Sequence, residues 1–247
     1  MKSNESRDGK LSLFHLTWPI FLEFFLFMLM GLADTFMLSA VSDNAVAGVG
    51  TANQYIMIAI LLLGVVGTGA SIIVAQYIGA KKLVDATKIA ALSVSLNLIV
   101  GLIMSALFLI FSGKIMEMMN LKGEVLEFAQ SYLAIVGGFL FLQAIITTVA
   151  AIIRVRGWTK QAMYVSLGMN ILHVILNYVL IFGKFGFPEM GVEGAAWSSV
   201  ISRAATAIVF VWLLTQALEV KVKLKNFVTW STDYVKKILR IGIPSAF

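Results

Sequence analysis

Six stretches of the chain run for about twenty residues or more with few charges, the length a helix needs to cross a lipid bilayer. They cover residues 14–38, 52–77, 89–112, 127–153, 163–183 and 193–217. Polar clusters separate them: Ser42-Asp43-Asn44, Gly79-Ala80-Lys81-Lys82, Gly113-Lys114, Arg154 to Lys160, and Gly183 to Glu189 with Pro188. The pattern predicts an all-α integral membrane protein, a six-transmembrane-helix bundle over residues 14–217. Residues 1–13 form a polar leading segment, residues 218–235 read as a linker between lobes, and residues 236–247 read as the start of a seventh helix.

The first apolar stretch holds two carboxylates, Glu23 and Asp34, eleven residues apart. Eleven steps of about 100° bring a helix round to within about 20° of the same direction, roughly 16 Å further along. Both acids therefore lie on one stripe. A charge at the centre of a bilayer costs at least ~2.5–3.5 kcal/mol, so such residues face a protein interior or a wet cavity and mark a pathway. Asp34 reads as a proton or cation site, against the plainer alternative of a structural acid paired to a neighbouring helix. Glu23 lies nearer the end of the span, where it reaches water or pairs with a base. Phe27 and Met30, between the two acids, are candidates for a pliable apolar wall. Pro19, near the start of the same helix, is either a comfortable first-turn proline or a hinge.

Other spans carry polar residues at helical spacing. Asn170, His173 and Asn177 share one face of the fifth span, and Gln143 and Thr147 sit four apart in the fourth. Each set is either glue between helices or cavity lining. Arg203, in the sixth span beside Ser199 and Thr206, is expected to pair with Glu23 or Asp34 or to snorkel to the surface, with a direct substrate contact as the lesser alternative. The glycines of Gly64-Val-Val-Gly67-Thr-Gly69 lack the strand and lysine of a phosphate loop and read as small residues that let helices approach.

Composition agrees: 60% of the 247 residues are hydrophobic, and 13% are charged. There is no cysteine, so disulfides and thiolate metal sites are excluded. The net charge of +6 does not point to nucleic acid, because the basic residues sort by loop. With the N-terminus in the cytoplasm, 15 of the 19 Lys and Arg fall inside, and only Lys114, Lys122 and Lys184 fall in outside loops. This positive-inside bias predicts a multi-pass protein of the cell membrane with both ends cytoplasmic. No metalloprotease or serine-hydrolase motif is present, which argues against an enzyme.

Residues Ile238-Leu-Arg-Ile-Gly-Ile-Pro244 resemble Leu13-Phe-His-Leu-Thr-Trp-Pro19, as though a second repeat begins near the end of the chain. Six spans per repeat would relate two such halves by an axis along the membrane normal.

Ordered motifs along nearly the whole chain resemble the N-terminal lobe of the multidrug and toxic compound extrusion (MATE) family. They are Pro19 with Asp34, Ala45-Val-Ala-Gly48, Gly69-Ala-Ser71 with Gln76-Tyr-Ile-Gly79-Ala80-Lys81, and Arg156-Gly157-Trp-Thr-Lys160. Asn177-Tyr-Val-Leu-Ile-Phe-Gly183-Lys-Phe-Gly186 and Gly191-Val-Glu-Gly194-Ala-Ala-Trp-Ser-Ser199 complete the set. The resemblance implies a twelve-helix exporter of two lobes, of which this chain is one. It would exchange small organic, often cationic, compounds for H⁺ or Na⁺, with membrane lipids around it and no other cofactor. It also implies bending at Pro19, coupling at Asp34, and a supporting set of His173, Asn177 and Ser199. Some members carry a carboxylate in the fifth span where this chain has His173 and Asn177. A neutral imidazole is a poor ligand for a hard cation, which favours H⁺ at Asp34, or a Na⁺ site with fewer acids. The alternatives are a lipid-linked saccharide flippase of the same superfamily, expected to have a more basic cavity, and a non-transporting truncated membrane subunit.

Overall fold

The computed structural model describes residues 5–217 and 232–246. The described residues form helices α1 (Glu5–Ser39), α2 (Asp43–Gly79), α3 (Leu83–Glu117), α4 (Gly123–Gly138), α5 (Leu140–Val155), α6 (Thr159–Ile181), α7 (Gly191–Ala217) and α8 (Thr232–Ala246). A 3₁₀ turn, Lys184–Gly186, joins α6 to α7. Among the described residues five helices are individually long and apolar enough to span a membrane, and α4 with α5, bent by 48° at their junction, pass the same test only when taken together as one span. The protein is a membrane-helical bundle. Much of the expected linker, and the first residues of the leading segment, lie outside the described residues.

Hydropathy marked the part of each helix that suits lipid, and the helices run further. α2 begins at Asp43, nine residues before its apolar run, because Ser42 caps it by accepting a hydrogen bond from the Ala45 amide at 3.0 Å. α8 begins at Thr232, ahead of the expected 236. α1 begins at Glu5, which places Pro19 well inside the helix. The first-turn reading of Pro19 is therefore wrong, since its missing N–H leaves a carbonyl one turn earlier without its usual donor.

The fourth span is the other departure. After Gly137-Gly138, Phe139 leaves helical geometry at φ −112°, ψ 22°, and the chain turns into α5. Paired glycines hold helix weakly, and the Phe139 ring packs instead against Phe141 of α5 and Trp197 of α7. The break strips intrahelical partners from the first amides of α5, and the Ser105 hydroxyl of α3 accepts one of them, from Phe141 at 3.1 Å.

Close glycine contacts set the remaining crossings. A Cβ at Gly194 would lie 2.6 Å from the Leu180 backbone, so α7 can pack on the end of α6 only without a side chain there. Gly69 of α2 and Gly242 of α8 face each other's helix in the same way, against Ile238 and Val65. Gly67 packs on Thr147, whereas Gly64 has open space. The small-residue reading thus holds for two of the three glycines.

Two apolar cores result. One, near the α5–α6 turn, gathers Ile73, Ile89, Ile152, Phe210 and Ile238; the other, at the opposite end, gathers Leu38, Ile56, Leu133, Leu140 and Ile181. Asn97 of α3 ties the middle together, donating to the carbonyls of Leu63 and Ala144 and to the Thr148 hydroxyl at 3.1, 3.2 and 2.7 Å. In lipid, packing and such hydrogen bonds hold helices together, because apolar contact alone gains little over contact with lipid tails.

Candidate functional site

Helices α1 and α6 run side by side in the same direction. Glu23 meets Ser166, and Asp34 meets Asn177. Both spacings are eleven residues, so the two acids predicted on one stripe of α1 form two rungs against one stripe of α6.

The Asp34 rung is buried. Asp34 is 6% exposed, and His173 and Asn177 are fully enclosed. Oδ1 of Asp34 lies 2.7 Å from Nε2 of His173 and accepts from Nδ2 of Asn177 at 2.5 Å. His173 and Asn177 are four residues apart, hence on one face of α6. Two α7 hydroxyls complete the set. Ser198 donates to Oδ1 of Asn177, and the Ser202 hydroxyl lies 3.4 Å from Nδ1 of His173. The contact between a carboxylate and an imidazole nitrogen needs a hydrogen. Either His173 carries it on Nε2 facing an ionised Asp34, or Asp34 carries it facing a neutral Nε2. The pair can thus hold a proton and pass it between two atoms without leaving the bundle.

The Glu23 rung lies one cavity away. Arg154, at the end of α5, donates from Nη2 to Oε1 and Oε2 of Glu23 at 2.8 and 2.9 Å, and from Nε to Oε2 at 3.1 Å. Ser166 donates to Oε1 at 2.8 Å. Between the rungs is a cavity of about 310 Å³. Glu23, Phe27 and Met30 of α1 line it, with Gln143 and Thr147 of α5, Asn170 of α6 and Arg203 of α7. Asn170 is therefore on one wall with the α1, α5 and α7 candidates, whereas His173 and Asn177, offered with it as cavity lining, are not. Asp34, His173, Asn177, Ser199 and Pro19 are not on that wall.

Two expectations need correction. Ser199 does not join the Asp34 set: its hydroxyl is buried on the side of α7 that faces Tyr132 and makes no hydrogen bond to Asp34, His173 or Asn177. The contributing hydroxyls are one residue earlier and three later, at Ser198 and Ser202, which share a face by their four-residue spacing. Arg203 neither snorkels nor pairs. It is 6% exposed, and its Nε and Nη1 have no hydrogen-bond partner among the described residues. Glu23 is taken by Arg154 and Asp34 by His173; Arg203 feels Asp34 and Tyr132 only through the field. Sequence reasoning counted Arg154 as a loop charge and passed over Ser166. The signal was positional: both lie within a turn or two of the α5–α6 connection, level with Glu23 if the helices alternate in direction.

Among the described residues no group of three or more His, Asp or Glu could hold a metal ion. Beside Asp34 the Asn177 carbonyl oxygen is already engaged by the Ser198 hydroxyl.

Known proteins bear directly on this arrangement. The MatE family pattern matches residues 19–179. Uncharacterized transporter YisQ of Bacillus subtilis (strain 168) is 40% identical over 97% of this chain and 52% of its own length. Probable multidrug resistance protein NorM of Thermotoga maritima is 35% identical over the whole chain and 53% of its own. A solved structure described as an outward-facing conformation of a multidrug resistance MATE family transporter of the MOP superfamily superposes with a TM-score of 0.86. The identity is 27%, over 95% of this chain and 51% of that one. The chain thus spans about half the length of the relatives it matches. The match takes in Pro19, Asp34, His173 and Asn177 in one continuous stretch, and the chain belongs to the MATE family of transporters.

Proposed function

We propose that this chain is one lobe of an exporter that expels small organic compounds, often cationic across the resemblance, in exchange for H⁺ bound at Asp34. The observation that carries the reading is a buried carboxylate hydrogen-bonded to an imidazole and an amide on a parallel helix. Protonation would remove the Asp34 charge and change what His173 and Asn177 can bond to. That gives two arrangements of α1 against α6 whose balance the proton sets. Pro19, inside α1, is where such a change would bend the helix.

H⁺ is favoured over Na⁺ by the donors aimed at Asp34. Asn177 presents its Nδ2, and His173 a ring nitrogen, where a sodium ion would need oxygens. The relatives named as probable multidrug resistance proteins support an organic cargo, and their doubled length supports a second lobe as partner. The clustering of Lys81, Lys82, Arg154, Arg156 and Lys160 at loops on one end of the bundle supports cytoplasmic termini in a cell membrane.

The test is drug efflux from proteoliposomes of the full-length transporter with the pH and Na⁺ gradients set separately. Efflux is expected to follow the pH gradient and to vanish in Asp34→Asn at equal reconstitution. Gradient-driven efflux unchanged in that variant would sink the proton-site reading.

A further inference from the structure

We propose that the cavity between the two rungs recognises the oxyanion head of an amphipathic organic compound, with Arg203 as the anchoring cation. Glu23 is the carboxylate that lines the cavity, and it already accepts three contacts from Arg154 and one from Ser166. An incoming ammonium would have to displace a charge-assisted pair to reach it. Asp34 is off the wall and engaged by His173 and Asn177. Gln143 and Thr147 are neutral, and the 3.3 Å bond between them takes one amide N–H of Gln143 and one lone pair of the Thr147 oxygen.

Arg203 is different. It lines the same cavity, is buried, and keeps two donor nitrogens without a partner among the described residues. A buried guanidinium with idle donors is costly, and a ligand oxyanion supplies what is missing. The cavity's unmatched charge is therefore positive, although the cargo suggested by the family resemblance is often cationic. Phe27, Met30, Met169 and Phe210 supply a pliable apolar surround for the body of the ligand. A cavity of about 310 Å³ sits at the lower end of the range for small-molecule sites. The ligand class is then a compact aromatic or branched body bearing one carboxylate, sulfonate or phosphate. A free compound and an anionic lipid head share that chemistry.

The inference rests on the transporter reading only for calling the occupant a cargo. Binding at equilibrium needs no gradient, so the two can fail separately. The experiment places the full chain in phosphatidylcholine nanodiscs and titrates it with 1-pyrenebutyrate, its methyl ester and a pyrenylbutyl trimethylammonium, followed by fluorescence. The acid is expected to bind at least about tenfold tighter than the ester or the cation, the contribution of roughly one charge-assisted hydrogen bond. Arg203→Met should erase that preference while leaving ester binding alone, and Arg203→Lys should keep most of it. In nanodiscs containing phosphatidylglycerol, loss of acid binding by the wild type would identify a lipid head as the occupant of the same oxyanion site. An acid that binds no better than the ester or the cation to the wild type overturns the proposal whatever the variants do. So does a preference unchanged in a folded Arg203→Met.

Discussion

Nε2 of His173 and Oδ1 of Asp34 stand 2.7 Å apart, although 139 residues separate them in sequence. With His173 fully enclosed, neither group can turn to water for a replacement partner. His173→Leu should therefore cut coupled export about fivefold to a hundredfold, since stranding one partner of a buried polar contact costs roughly 1–3 kcal/mol. His173→Gln, whose amide can donate to the same oxygen, should recover part of the loss. Efflux rates at matched membrane levels decide it: a Leu variant as active as wild type removes His173 from the proton site.

The Glu23–Arg154 pair makes a different prediction, about stability. The Arg154 side chain is 33% exposed and that of Glu23 11%, so the pair is shielded well beyond an ordinary surface ion pair. Glu23→Gln and Arg154→Gln should each lower the unfolding midpoint in detergent, and the double variant should fall by less than the sum. The expected coupling is about 0.5–3 kcal/mol, the range for residues in direct contact. A coupling near zero would show that α1 and α5 are not joined there.

Much of this was legible in the chain because lipid imposes a simple rule: polar residues must face inward. Glu23, Phe27, Met30, Gln143, Thr147, Asn170 and Arg203 could be gathered from helix faces alone, and they do share one cavity wall. What one-dimensional spacing cannot supply is the angular setting of one helix against another. Ser198 and Ser199 differ by about 100° on α7, enough to exchange a place beside Asn177 for one beside Tyr132. Partner choice was hidden for the same reason. Arg154 sits in a basic loop by sequence, yet it reaches back along α5 to a carboxylate 131 residues away. Nor does hydropathy register a break whose compensation, Ser105, lies on another helix.

That break can be tested directly. Ser105→Ala leaves the Phe141 amide without its acceptor and should destabilise the protein by about 1 kcal/mol. Hydrogen exchange should quicken at the first turn of α5 before it does elsewhere. Gly101→Val should cost more, because a Cβ there would lie 2.8 Å from both the Phe141 Cα and the Ala144 Cβ, and overpacking of this kind costs about 1–3 kcal/mol. Exchange at α5 that is unchanged in both variants would mean the bend is held by something else.

The two neighbouring serines of α7 separate a positioning role from a bystander. Ser198 donates to Oδ1 of Asn177, which leaves the amide nitrogen to point at Asp34. Without that donor the Asn177 amide can flip and present its oxygen to the carboxylate, which favours a protonated Asp34 or a bound cation. Ser198→Ala should therefore change the ion dependence of export, raising the response to a Na⁺ gradient relative to a pH gradient, while drug binding at equilibrium stays within about twofold, as the serine is off the cavity wall. Ser199→Ala removes a hydroxyl that faces Tyr132 and does not touch Asp34, His173 or Asn177, so it should leave both readouts near wild type. Efflux from proteoliposomes under separate Na⁺ and pH gradients compares the two. Equal behaviour of the two variants would mean that the orientation of Asn177 is not what selects the ion.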